Sequence, residues 1–417
     1  MDHVFRHYAR YVGFIKKERN MGYSQQSQEA GRTLLPDLVR VFALIGIALV
    51  NVTLLAYPIN TGYHDGAMVT FADKGTDFLV NSVFTLKSYT LFSFMFGVGF
   101  AFQMKGAQMR GKGFGARYSR RIFGLFVLGA LHGAFLYQGD ILFLYGILGT
   151  ILFLFRDASV KTLIKTGIGV YVFQTVIMGL GTAAIYFGHQ FAAEDMAAEL
   201  VSMQEADIKS LAAFGSGTFI EAATVRFAQW LQIVGFGSLI QGFGAFAFFL
   251  FGLAAVKSEI IANPSAQIWS KFRRIFLPIG LIGSAIGAYI YTSTDDMMSV
   301  EMMLGMFIMT AASPFSTAGY LGLIAKWSEG PMTGFKTFMA RGGTATLTAY
   351  LMQSLLMSYI FCGYGLGYYA KLGAAQCIAI ALAVAVFTII FASVWRIYFK
   401  RGLMENLLRS WTYLGKR

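Results

Sequence analysis

The chain has 417 residues, of which 56% are hydrophobic and 16% aromatic, and only 13% are charged; its mean hydropathy is +0.58. A soluble domain of this size carries about twice that share of charge, so the composition excludes an ordinary soluble globular protein. The net charge of +13 does not indicate nucleic acid either, because the basic residues are scattered over many short segments and form no recognisable binding motif.

In chain order, residues 1–35 form a basic segment. Phe5, Tyr8, Val12 and Ile15 recur there at helical spacing among Arg6, Arg10, Lys16 and Lys17. That pattern reads as a helix lying on a membrane surface; an upstream extension ahead of a start at Met21 fits the same residues. The first apolar run is too long for the core of a secretory signal, so none is expected. A helix of about 20 apolar residues crosses a bilayer, and ten such stretches follow. They run roughly over 36–58, 78–103, 121–137, 140–155, 162–188, 229–256, 272–292, 298–325, 346–366 and 373–395. The outer loop at 189–228 is acidic, and its Ala-rich part at 192–213 predicts one or two surface helices. A basic tail over 396–417 closes the chain. The predicted fold is an all-α polytopic membrane protein of about ten transmembrane helices, with the helical domain spanning 36–395.

Orientation follows from the basic residues. Most of the 34 Lys and Arg residues fall in alternate connections and at both ends, including Lys105, Arg110, Lys112, Arg117, Lys257, Arg273, Lys336, Arg396 and Arg409. The other side holds Lys74, Lys209, Arg226 and Lys371. Such a bias places both termini in the cytoplasm, and the surplus charge is suited to anionic lipid headgroups. The bilayer is thus the first partner expected, nucleic acid is not one, and self-association into a homo-oligomer is compatible with the sequence.

The candidate site centres on LGALHGAFLYQGD, residues 128–140. His132 lies roughly 16 Å along the third span, near the bilayer midplane, and an ionisable group there marks function unless it is satisfied by a neighbouring helix. Gly129 and Gly133 flank it at a spacing that lets another helix approach. Lys87, about nine residues into the second span, needs a partner or an aqueous cavity. Asp140, in the turn after the third span, is placed to cap the next helix. Arg40 sits one turn into the first span, where snorkelling to the surface is an adequate structural account, and Asn51 reaches its outer half. Gln241 and Gln353 read as amides bonding between helices. Cys362 and Cys377 have no metal-ligand spacing and read as packed thiols; no metal site is expected. His132 and Lys87 are expected to face one polar cavity open to the outside, with Arg40 at its cytoplasmic mouth.

The same stretches carry a family likeness. PDLVRVFALIGIALVNV, LKSYTLFSFMFGVGFAF and RRIFGLFVLGALHGAFLYQGDILFLYGILG resemble motifs of the YeiB-like family of bacterial multi-pass membrane proteins, and ARGGTATLTAYLMQS and WRIYFKRGLMENLLRSWT resemble its closing motifs. The likeness covers about 33–415 and is most specific at His132 and Gly139-Asp140-Ile141-Leu142; Val41, Gly133 and Leu403 stand where the family usually has Gly, Ala and Pro. By analogy the family belongs with the transmembrane acyltransferases, which implies a bacterial plasma (inner) membrane location. It also implies acyl transfer from cytoplasmic acyl-CoA, as co-substrate and with no tightly bound cofactor, to an acceptor at or beyond the outer face.

That implication fits residues already singled out. His132 suits a general base, since an imidazole titrates near neutrality; Lys87 or Asn51 suits stabilisation of a developing oxyanion. Arg40, Arg120 and Arg121 suit a phosphorylated donor, and Asp140 and Gln353 complete the candidate site. The rival reading is a small-molecule transporter or exporter with an intramembrane His/Lys relay and a helix broken at Pro314. A non-catalytic membrane scaffold has no specific feature in its favour.

Overall fold

A computed structural model describes residues 33–414 except Asp65, Lys112, Met297 and Met332. The surface helix expected within residues 1–20, and Lys416 and Arg417, lie outside the described residues. Among the described residues the regular structure is entirely helical, with no strand. The helices are α1 Leu35–Ala56, α2 Phe71–Val83, α3 Lys87–Gln108, α4 Gly115–Phe135, α5 Leu142–Leu154, α6 Val160–Phe191, α7 Ala193–Gly215, α8 Phe219–Gln232 and α9 Ser238–Lys257. After these come α10 Gln267–Lys271, α11 Leu277–Tyr291, α12 Val300–Glu329, α13 Gly334–Gly342, α14 Thr346–Phe361, α15 Ala374–Tyr398 and α16 Leu403–Thr412.

Every one of the ten apolar stretches is helical. Among the described residues six runs are long and apolar enough to cross a membrane: Leu35–Ala56, Phe71–Gln108, Val160–Phe191, Gln267–Tyr291, Val300–Glu329 and Ala374–Tyr398. Leu142–Leu154 and Gln241–Lys257 are shorter apolar helices. The chain is a multi-pass helical membrane protein. Short π-helical turns, Ile233–Gly237 before α9 and Phe272–Phe276 before α11, interrupt the sixth and seventh stretches.

Two elements differ from the sequence expectation, and each has a local cause. The second stretch is not one helix: Leu86 adopts a left-handed φ of 68°, which ends α2 and lets α3 begin at Lys87. A break at membrane depth must satisfy its own backbone groups. Here the Lys87 ammonium donates to the Asn81 carbonyl at 3.2 Å and the Tyr320 hydroxyl to that of Val83 at 2.8 Å, so the negative end of α2 is capped. Conversely, α12 runs through Pro314 without a break. Proline cannot donate to the carbonyl four residues earlier, and that carbonyl, of Thr310, accepts the Tyr171 hydroxyl from α6 at 2.9 Å instead. A neighbour replaces the missing bond, and the helix continues.

Close helix crossings are made by glycine. A Cβ on Gly97 would stand 2.1 Å from the Phe249 carbonyl oxygen, and one on Gly252 2.1 Å from that of Phe94, so α3 and α9 touch backbone to backbone. The core fills around them with Leu, Phe and Ala, including Leu44, Leu91, Val98, Phe249 and Leu253. Different connections pack together at the two ends of the bundle. At one end α16 lies on α4 and α14, near Arg40, Arg117, Arg121 and Arg396. At the other, Asn60 bonds Asp207, Gly363 bonds Phe214, and Ala370 bonds Ala56. In the loop at 189–228, one helix, α7, covers the Ala-rich part at 192–213, and α8 begins after it.

Candidate functional site

His132 lies in the last turn of α4, with 2% of its surface exposed. Its Nδ1 is 2.7 Å from Oδ1 of Asp140, which is itself buried. The other carboxylate oxygen, Oδ2, accepts the amide of Phe143 at 2.8 Å, in the first turn of α5. Asp140 therefore does two things at once: it fixes the imidazole and caps α5. Glycine makes the pairing possible. A Cβ on Gly129 would stand 2.3 Å from the Phe143 nitrogen and 2.8 Å from Asp140 Oδ2, so only a residue without a side chain lets the start of α5 come this close. Gly133 receives Trp230 of α8 in the same way.

With Nδ1 directed at a carboxylate, the neutral imidazole is the tautomer with its proton on Nδ1 and its lone pair on Nε2. Nε2 is buried and has no hydrogen-bond partner among the described residues. The ring packs between Tyr350, at 5.0 Å between centroids, and Tyr137, at 6.0 Å. A buried base with one nitrogen held and the other bare is equipped to accept a proton from a group brought to it.

Tyr350 also lines a cavity of about 260 Å³ enclosed by α1, α3, α4, α5, α14 and α16. Its lining combines apolar Phe92, Met95, Phe96 and Leu125 with polar Arg40, Gln103, Arg121 and Glu405. Such a shape suits an amphipathic ligand with an apolar end inside and a polar end at the arginines. Arg40 is held by Asp37 at 2.8 Å. Glu405 accepts the amide of Leu347 at 2.6 Å and the Thr348 hydroxyl at 2.6 Å. The tail helix thus caps α14 from outside and closes one side of the cavity.

The predicted residues divide accordingly. His132 and Asp140 are joined, and Arg40 and Arg121 line the cavity. Neither His132 nor Lys87 lines this cavity. Close packing at Gly129 and the Tyr350 ring fill the space beside His132, while Lys87 is turned to the end of α2. Arg120 does not line the cavity: its Nε donates to the Thr412 carbonyl at 3.1 Å and its own carbonyl accepts Trp411 at 2.9 Å, anchoring α16. Gln353 bridges α14 to Leu44 of α1 and Thr388 of α15, as interhelical glue. Asn51 is half-buried and away from the cavity, and Gln241 is exposed.

Sequence reasoning missed Tyr350, Glu405, Gln103 and Tyr145 in the cavity wall. Glu405 had a signal, as a lone carboxylate in a basic tail. It also missed Arg226, 1% exposed, which donates to the Phe135 carbonyl at the end of α4. Among the described residues no group of three or more His, Cys, Asp or Glu is arranged to hold a metal.

Comparison with known proteins agrees with the motifs. Residues 255–415 match the family model described as a protein of unknown function (DUF418). The chain is 29% identical over 396 residues to the uncharacterized protein YxaH of Bacillus subtilis (strain 168), covering 91% of this chain and 94% of that one. It is 26% identical over 397 residues to the uncharacterized protein YeiB of Escherichia coli (strain K12), covering 91% and 96%. A third relative, an uncharacterized 39.9 kDa protein of Bacillus acidopullulyticus, is 24% identical over 386 residues. These similarities support the YeiB-like resemblance along nearly the whole chain. No solved structure matches the chain.

Proposed function

We propose that the chain is a YeiB-like membrane acyltransferase of about ten transmembrane helices, in a bacterial inner membrane with both termini in the cytoplasm. It moves an acyl group from cytoplasmic acyl-CoA to a hydroxyl or amine acceptor at or beyond the outer face. The observation that carries this reading is the buried His132–Asp140 pair. Its ring, with Nε2 bare, lies 5.0 Å from that of Tyr350, which lines an amphipathic cavity together with Arg40 and Arg121. The acceptor's heteroatom attacks the thioester carbonyl, a new C–O or C–N bond forms, and the C–S bond breaks. The acceptor proton passes to Nε2 and then to the departing thiolate, so the base is regenerated. Asp140 orients the ring and stabilises its charged form while the proton is held there. Contact between Nε2 and a ligand in the cavity requires the Tyr350 ring to move aside.

The transporter reading relied on Lys87 as a relay and on a break at Pro314. Lys87 is occupied in capping α2, and α12 passes Pro314 intact, so acyl transfer is the reading better supported. Purified protein is offered labelled acyl-CoA. Thiol release that disappears in His132→Ala, with an unchanged unfolding profile, is the expected result. Uptake of a solute into proteoliposomes with no chemical change would favour transport.

A further inference from the structure

Beside this cavity lies a second concave region, separate from the dyad and from the cavity's apolar residues. Two adjoining hollows, of about 140 and 470 Å³, share Gln103, Arg110, Arg117, Arg409 and Tyr413. The smaller also reaches Tyr118 and Arg121, which border the cavity. Arg117 is only 7% exposed, and its Nε is buried with no hydrogen-bond partner among the described residues. Its guanidinium lies 5.6 Å from the centre of the Tyr413 ring, and that of Arg409 lies 4.3 Å from the same ring. The Arg110 guanidinium folds back over Gly106, within 3.4 Å of where a side chain would begin.

No carboxylate among the described residues forms an ion pair with Arg110, Arg117 or Arg409. The nearby Glu405 is committed to the start of α14. Cations gathered on one aromatic ring repel one another, and a buried guanidinium without a counter-charge is destabilising. Both penalties disappear if an anion sits between them. The planar forks of arginine match phosphate oxygens in pairs. Moreover, α4 begins beside them at Gly115 with no side-chain cap, so its first amides add donors at the same edge.

We propose that Arg110, Arg117 and Arg409 form a phosphate-binding bay at the basic end of the bundle. Its ligand is a phosphate group, carried either by an anionic lipid headgroup or by a soluble phosphorylated compound. The proposal stands whether or not His132 is a catalytic base.

The test uses the full chain in nanodiscs of phosphatidylcholine, with inorganic pyrophosphate titrated in or with phosphatidylglycerol mixed into the lipid. The readout is the unfolding temperature. A saturable rise with pyrophosphate alone assigns the bay to soluble phosphates; a rise with phosphatidylglycerol alone assigns it to lipid; competition between the two assigns the shared group. In each case Arg117→Gln and Arg409→Gln should weaken the response about tenfold, the loss expected for one charged hydrogen-bond partner. Lys161→Gln, at an exposed position elsewhere, should leave it unchanged. Arg409 is exposed, so its variant decides the matter if Arg117→Gln fails to fold. No rise with either probe, or a rise that survives both arginine changes, overturns the proposal.

Discussion

Replacing Asp140 tests the centre of the site, because one carboxylate serves two buried donors. In Asp140→Ala the imidazole Nδ1 and the Phe143 amide both lose their acceptor, at 2.7 and 2.8 Å respectively. Each buried donor left unsatisfied costs about 1–3 kcal/mol, so the loss is about 2–6 kcal/mol if neither finds water. In Asp140→Asn the amide oxygen still accepts from Phe143, while the NH2 group faces Nδ1. The imidazole must then present its lone pair at Nδ1 and its proton at Nε2, which removes the base without removing the cap. The structural loss is about 1 kcal/mol, the difference between a charged and a neutral acceptor. The catalytic loss should reach about 10²–10⁴-fold, the usual contribution of general base catalysis. Thermal unfolding in detergent and thiol release from acyl-CoA measure the two effects separately. The expected pattern is that Ala unfolds well below Asn while both are inactive. An Ala variant as stable as Asn would refute the dual role of Asp140; an Asn variant with native turnover would refute the base.

Three other outcomes follow from named contacts. Tyr350→Ala removes the ring that separates the cavity from His132, so diethyl pyrocarbonate should modify His132 faster than in the native protein, read by peptide mass spectrometry. Tyr350→Phe, which keeps the ring, should modify at the native rate; equal rates in all three would show that Tyr350 is not the barrier. Glu405→Ala strips the acceptor from the Leu347 amide and the Thr348 hydroxyl and should destabilise by about 1–3 kcal/mol. The tail helix should loosen with it, seen as faster tryptic cleavage at Arg401. In the loop at 189–228, the Thr218 amide and hydroxyl donate to Glu221 and lower its pKa. Its stabilisation of the start of α8 is therefore full above the unfolded carboxylate's pKa and is lost as pH falls through the lower folded value. Hydrogen exchange over residues 219–223, corrected for intrinsic rates, should show this dependence and lose it in Glu221→Gln.

What the sequence made legible was periodic or composed of charge. Apolar stretches were legible as helices because hydrophobic length is a direct physical requirement of the bilayer, and Asp140 could be placed as a cap because a carboxylate after a tight turn has few other uses. The pairing of His132 with Asp140 was half visible, since they are eight residues apart across a helix end, but the role of Gly129 in allowing it depended on α5 folding back onto α4. Long-range partners were not visible at all. Glu405 acts on α14 across 57 residues, and Arg120 holds the tail across 292; neither relation leaves a local pattern.

Lys87 and Pro314 illustrate one principle. In an isolated membrane helix an ammonium needs a partner or water, and a proline opens a gap. In a bundle the solvent of a buried polar group is the neighbouring helix. The Asn81 carbonyl serves as the partner of Lys87, and the Tyr171 hydroxyl supplies the donor that Pro314 lacks. Both apparent signals of a transport pathway are thus accounted for by backbone satisfaction. Among the described residues, Nε2 of His132 and the Tyr350 hydroxyl are buried polar atoms at the candidate site without such a partner, while Asp140 holds the imidazole's other side. The proposed role of His132 as a base rests on that asymmetry, one nitrogen held and one left bare.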